Sequence, residues 1–115
     1  MELYEKSAAE LGRMLRAKEA SAAEITESVL GRIAQVEPRV GAYLTLTEET
    51  ARSQAARVDE KLAKGAALAP LAGIPLAVKD NISTKDVLTT CASKILYNYV
   101  PSFDAFAYAR AMEQG

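Results

Sequence analysis

"LAGIPLAVKDNI", Leu71 to Ile82, is an apolar run with a lysine set near its end. Gly73 and Pro75 argue against a helix here. "PLAVKDNI" reads as a strand, with Ile74, Leu76 and Val78 on one face and Ala77 and Lys79 on the other. A strand apolar on both faces belongs in a sheet covered on both sides, as in α/β folds. One or two strands cannot make such a sheet. The chain therefore reads as the opening of a larger domain.

Lysine is among the residues least willing to leave water. Two readings of Lys79 stand side by side. In one it ends the strand and snorkels to water, its stem packed on apolar neighbours. In the other it is desolvated; burial lowers a lysine's pKa, so it sits neutral near pH 7 and takes a proton from a nucleophile. Ala77 is small and leaves room for a substrate or second side chain. Asp80 and Asn81 follow, either as partners fixing a loop or as polar turn residues where the strand exits.

Upstream of this run the chain reads as helices. Ser7-Ala8-Ala9-Glu10 and Ser21-Ala22-Ala23-Glu24 both have the capping-box pattern. Leu11, Met14 and Leu15 form one apolar stripe, and Ile25, Val29, Ile33 and Val36 a second, with Pro38 expected to end that helix. Ala42, Leu44 and Leu46 alternate with Tyr43, Thr45 and Thr47, predicting a short extended segment. Thr47 is a candidate cap for a third helix striped by Ala51, Ala55, Val58 and Leu62, with Gly65 at its exit. "AALAPLAGIP" is an irregular apolar connector. Asp104 is a candidate N-cap for a last helix bearing Ala105, Tyr108, Ala109 and Met112.

Composition excludes several chemistries. The 115 residues carry 14 basic and 15 acidic side chains and a net charge of -1, which favours neither a nucleic-acid nor a membrane surface. No apolar run approaches the length of a membrane span, and "MELYEKSAAE" is not a secretory signal. With no histidine, neither a Ser-His-Asp nor a histidine-containing zinc site can be built. Cys91 is the single cysteine, which fits a reducing, cytoplasmic setting. Acid-base work falls to Lys, Tyr, Asp or Glu.

A second cluster is "TTCASK", Thr89 to Lys94. Its small hydroxyl and thiol side chains include conceivable nucleophiles, but no histidine activates them. The favoured reading is a loop whose hydroxyls satisfy backbone groups. Cys91 is expected to be a buried small apolar residue. There is no GxGxxG, no phosphate-binding loop and no metal-ligand spacing.

"PLAGIPLAVKDNI" followed by "TTCASKILYNYVPSFDA" resembles the amidase signature family. The resemblance extends through "SAAEL", "SAAEITESVLGRIAQVEP", "AYLTLTEE" and "ARVDEKLAKG", nearly the whole chain. "TTCASKIL" resembles one branch, the amidase subunits of tRNA-dependent amidotransferases. The resemblance implies an α/β fold: N-terminal helices (residues 1–65), then the first strand or strands of a mixed sheet that starts the catalytic core (residues 66–115). It implies a Ser-cisSer-Lys triad in which Lys79 is the neutral base. It also implies glutamine as the amide, other amidotransferase subunits as partners in a hetero-oligomer, and tRNA contacted mainly through a partner subunit. No cofactor is expected on this chain; ATP and magnesium belong to the partner.

The two serines of that triad lie in a Gly/Ser-rich region beyond the lysine, and these residues contain none. The chain is thus expected to be a truncated piece with one triad member, inactive alone. "FDAFAYARAMEQG" departs from the family in its bulky Phe106 and Tyr108. A fragment of a general amidase and a non-catalytic helical module for binding a partner are the alternatives.

Overall fold

The computed structural model describes residues 1–115. The chain forms two compact units, Met1–Pro75 with Gln114 and Gly115, and Leu76–Glu113. The first contains a 3-10 turn (Leu3–Glu5), α1 (Ala8–Arg16), α2 (Ala22–Val40) and α3 (Glu48–Ala63). The second contains α4 (Phe106–Met112) and is otherwise irregular.

Both capping boxes form. The Ser7 hydroxyl accepts from the Glu10 amide at 3.2 Å, and Glu10 accepts from the Ser7 amide at 2.8 Å. Ser21 and Glu24 repeat this at 3.1 and 2.8 Å. The start of α2 has a further support from α3. Asp59 accepts from the amides of Ala22 at 2.7 Å and Ala23 at 3.0 Å. The first three amides of α2, which no helix can satisfy internally, are therefore all partnered. Asp59→Ala should lower stability by about 1–3 kcal/mol, since these bonds run to a charged acceptor. Glu60→Ala, which breaks only the exposed pair with Lys64, should cost under about 1 kcal/mol. Thermal unfolding of the two variants checks the contrast.

The predicted stripes meet in one core. Leu11 and Leu15 from α1, Ala22 and Ile25 from α2, Ala55 and Val58 from α3, and Ala20 and Ala72 from the connections are buried together. The apolar connector closes this core from outside the helices. Leu68 and Ile74 pack against it, and Arg16 donates to the carbonyl of Pro70 at 3.0 Å. Gly73, at φ 76°, brings its backbone against the side chains of Leu15, Ala22 and Val58.

Several expectations are corrected. Pro38 does not end α2, which continues to Val40. A proline in the last turn removes only one amide, and the exit is made by Gly41 at φ 61°, whose amide donates to Glu37 O. The Ala42–Thr47 segment forms no strand, and Leu44 and Leu46 are exposed. Thr47 sits at the N-cap of α3 but makes no side-chain cap. Ala105, not Asp104, is the N-cap of α4; Asp104 instead accepts from the Lys85 amide at 2.7 Å. Residues 76–79 are not helical, but they form no strand either. The physical reason is the same in both failed strands. An extended segment becomes a strand only when a second one pairs with it, and no second strand exists among these residues.

Candidate functional site

The second unit is held by turns rather than by a core. Ile82 N donates to Lys79 O at 3.0 Å, Thr89 N to Tyr99 O at 3.0 Å, and Ala105 N to Ser83 O at 2.8 Å. Thr89, Thr90 and Pro101 are its buried residues. Much of its apolar surface is open, including Leu76, Ile95, Tyr97 and Phe106.

Lys79 lies in this open region. Its side chain is exposed and joins none of the ion pairs, which all lie between other residues. The desolvation expected of a buried base is thus not supplied by these residues. Asn81 and Lys94 are exposed as well.

Asp80, immediately after Lys79, is engaged on every side. Its Oδ1 accepts from the Thr90 amide at 2.9 Å. Its Oδ2 accepts from the Thr90 hydroxyl and from the Ala92 amide at 3.3 Å. Its carbonyl accepts from the Cys91 amide at 2.9 Å. Of the two readings of Asp80, the loop-fixing partner is the one observed. The Thr90 hydroxyl and amide, with smaller help from Ala92 and Cys91, hold the Asp80 carboxyl below the ordinary aspartate range. A lowered pKa means these bonds are complete at neutral pH and weaken only as pH falls through the lowered value.

The partner loop is strained. Ser93 N donates to Thr90 O at 2.8 Å, closing a turn whose central residues Cys91 and Ala92 have φ of 52° and 54°. Positive φ at both central positions is the type I′ pattern, normally filled by Asn-Gly. Left-handed backbone costs a side-chain-bearing residue roughly 1–2 kcal/mol. Strain of this kind persists where surrounding bonds over-determine it, and here those bonds converge on Asp80. The other hydroxyls also serve the backbone: Thr89 donates to Val87 O at 3.1 Å, and Ser93 accepts from the Ile95 amide at 3.2 Å. Cys91, expected to be buried, is exposed, because the left-handed turn carries it outward while Thr90 faces Asp80. The pairing of Asp80 with Thr90 was not foreseen. Its signal in the sequence is a carboxylate ten residues before a hydroxyl followed by small residues. No three potential ligands lie close enough to hold a metal ion, and no helix is long and apolar enough to cross a membrane.

Comparison with known proteins gives a consistent family. The model of the family described as Amidase matches residues 24–115. The A subunit of the glutamyl-tRNA(Gln) amidotransferase from Desulforamulus reducens is 53% identical over 105 residues, covering 91% of this chain and 22% of that protein. Proteins of the same name from Carboxydothermus hydrogenoformans and Heliobacterium modesticaldum are 48% and 50% identical over 115 residues, covering all of this chain and 24% of theirs. A solved structure, described as a vestigial protein complex that reveals the evolutionary origins of an s-triazine catabolic enzyme, superposes with a TM-score of 0.91. Its identity is 30%, over 96% of this chain and 24% of that one. The chain thus spans about a quarter of the length of the curated relatives it matches. With the family match running from the start of α2 through the Lys79 segment and the Asp80-bound turn, the chain belongs to the amidase family.

Proposed function

We propose that these residues are the N-terminal part of the amidase subunit of a glutamyl-tRNA(Gln) amidotransferase. The observation that carries this reading is identity of about half, along the whole chain, to proteins of that name. In this reading the complete protein hydrolyses glutamine and passes ammonia to a partner subunit, which converts Glu-tRNA(Gln) to Gln-tRNA(Gln). Lys79 is the triad base, acting through a bridging serine on a nucleophilic serine, both outside these residues. An acyl-enzyme forms as ammonia leaves, and water then releases glutamate. This chain binds no cofactor; ATP and magnesium serve the partner subunit, and the assembly works in the cytoplasm.

Residues 66–115 begin the catalytic core in this reading, and the Lys79 segment pairs into a mixed sheet built from the rest of the protein. The exposure of Leu76 at 60% and Val78 at 37% supports that. An apolar segment left open this way is usually covered by something, and the same cover would desolvate Lys79. A second reading, an amidase acting on other small amides, is favoured by the likeness to the s-triazine-related structure.

The test is a chimera in which these 115 residues replace the corresponding segment of the Desulforamulus reducens relative, assembled with that organism's partner subunits. Ammonia release from glutamine well above that from acetamide is expected. A preference for acetamide would favour the second reading. The isolated 115-residue chain should release no ammonia from glutamine above a Lys79→Ala control, because a base without a nucleophile has nothing to activate.

A further inference from the structure

We infer that Asp80 is a positioning residue for Lys79. By holding the left-handed Cys91–Ala92 turn, it fixes the peptide that follows the lysine and so the direction in which the lysine leaves the backbone. The inference rests on the proposed role of Lys79 as base.

Three observations carry it. First, the contacts join "GIPLAVKDN" and "TTCASK", two of the segments on which the family resemblance rests, through one residue. Asp80 takes four hydrogen bonds from Thr90, Cys91 and Ala92, using both carboxylate oxygens and its carbonyl. Second, the turn it holds needs holding: Cys91 and Ala92 sit at φ 52° and 54° without glycine. Third, the peptide between Lys79 and Asp80 is fixed from its other side, since Lys79 O accepts from Ile82 N at 3.0 Å. A long side chain such as lysine reaches its target reproducibly only when its root is fixed. In catalysis a misplacement of about 1 Å costs on the order of a hundredfold in rate.

The carboxylate is specifically required. Oδ2 accepts from two donors, the Thr90 hydroxyl and the Ala92 amide. Asparagine puts an NH2 group at one of the two oxygen positions, where it faces donors whichever way it is turned. Asp80→Asn therefore breaks the clamp at nearly constant volume. Thr90→Val removes the hydroxyl at nearly constant shape, and Thr90→Ser restores it.

Two measurements test the inference. In the 115-residue chain Cys91 is the sole thiol and is exposed on the turn, so its alkylation by iodoacetamide reports the turn's conformation. In the chimera with its partner subunits, glutamine hydrolysis reports Lys79. For Asp80→Asn and Thr90→Val we expect a changed Cys91 alkylation rate and a fall in kcat of about 10- to 100-fold. KM for glutamine should hold within about threefold, with folding confirmed by circular dichroism, because positioning acts on the reacting geometry rather than on substrate binding. Thr90→Ser should return both readouts to within about twofold of the parent. Parent-like kcat in folded Asp80→Asn, an unchanged alkylation rate, or equal losses in Thr90→Ser and Thr90→Val would each overturn the inference. Asp80→Asn activity alongside an inactive Lys79→Arg defeats the clamp and leaves the proposed function standing. An active Lys79→Arg defeats the proposed function, and this inference with it.

Discussion

Lys79→Arg in the assembled chimera should lose glutaminase activity by at least about 10²- to 10⁴-fold while remaining folded, the range typical for loss of a general base. Arginine keeps the positive charge, most of the stem and the capacity to donate hydrogen bonds. It cannot give up its proton, because its pKa stays above about 12 in proteins. A lysine whose role is to pair with an anion would tolerate this exchange far better than one that must accept a proton. Lys79→Ala should lose activity too, for want of any base. Lys94→Ala is the control: Lys94 is exposed, and no role is assigned to it, so activity should stay within a few-fold of the parent, as for an ordinary surface substitution. Ammonia release is measured for all three variants, with circular dichroism to confirm folding. A folded Lys79→Arg variant with parent-like activity returns Lys79 to the alternative reading, a solvated residue with no part in proton transfer.

What could be read from the sequence depended on the range of the interaction. Ser7 with Glu10 and Ser21 with Glu24 are three residues apart, so the helix starts were legible from local chemistry alone. The stripes through Leu11 and Leu15, and through Ala55 and Val58, were legible because helical spacing fixes a face whatever lies opposite. Strands have no such autonomy. The apolar pattern at residues 74–78 reads as an extended, buried segment, yet no second extended segment among these residues pairs with it. Lys79 lies in the same unpaired segment and is exposed; its burial belongs to the proposed function. Asp59 and Asp80 show a different limit. Each acts on backbone amides far along the chain, Ala22 in one case and Thr90 in the other. Asp59 lies off the apolar stripe of α3, so helical spacing says nothing of its partner, and Asp80 reads from the sequence only as a loop or turn residue. Neither carboxylate's target could be named before the chain was folded.

Gly73→Ala should be the most damaging single methyl in the first unit. An added Cβ would stand 2.7 Å from Leu15 Cδ2 and 3.2 Å from both Ala22 Cβ and Val58 Cγ1. Those three partners are 1%, 0% and 2% exposed, so none can retreat into solvent. They come from α1, α2 and α3, so the methyl would push against all three helices at once. Overpacking of this kind typically costs about 1–3 kcal/mol. The φ of 76° adds roughly 1–2 kcal/mol for any residue with a Cβ. Together these amount to about 2–5 kcal/mol, a large part of the stability of a small domain. The thermal midpoint should fall by at least about 8 °C, at about 4 °C or more per kcal/mol for a domain of this size. Gly65 separates the two contributions. It has the same φ of 76° but nothing within 4 Å of the added Cβ. Gly65→Ala should therefore show the backbone cost alone, about 1–2 kcal/mol. Equal midpoints for the two variants would mean that the connector moves away from the helices freely, and that Gly73 does not hold it against Leu15, Ala22 and Val58.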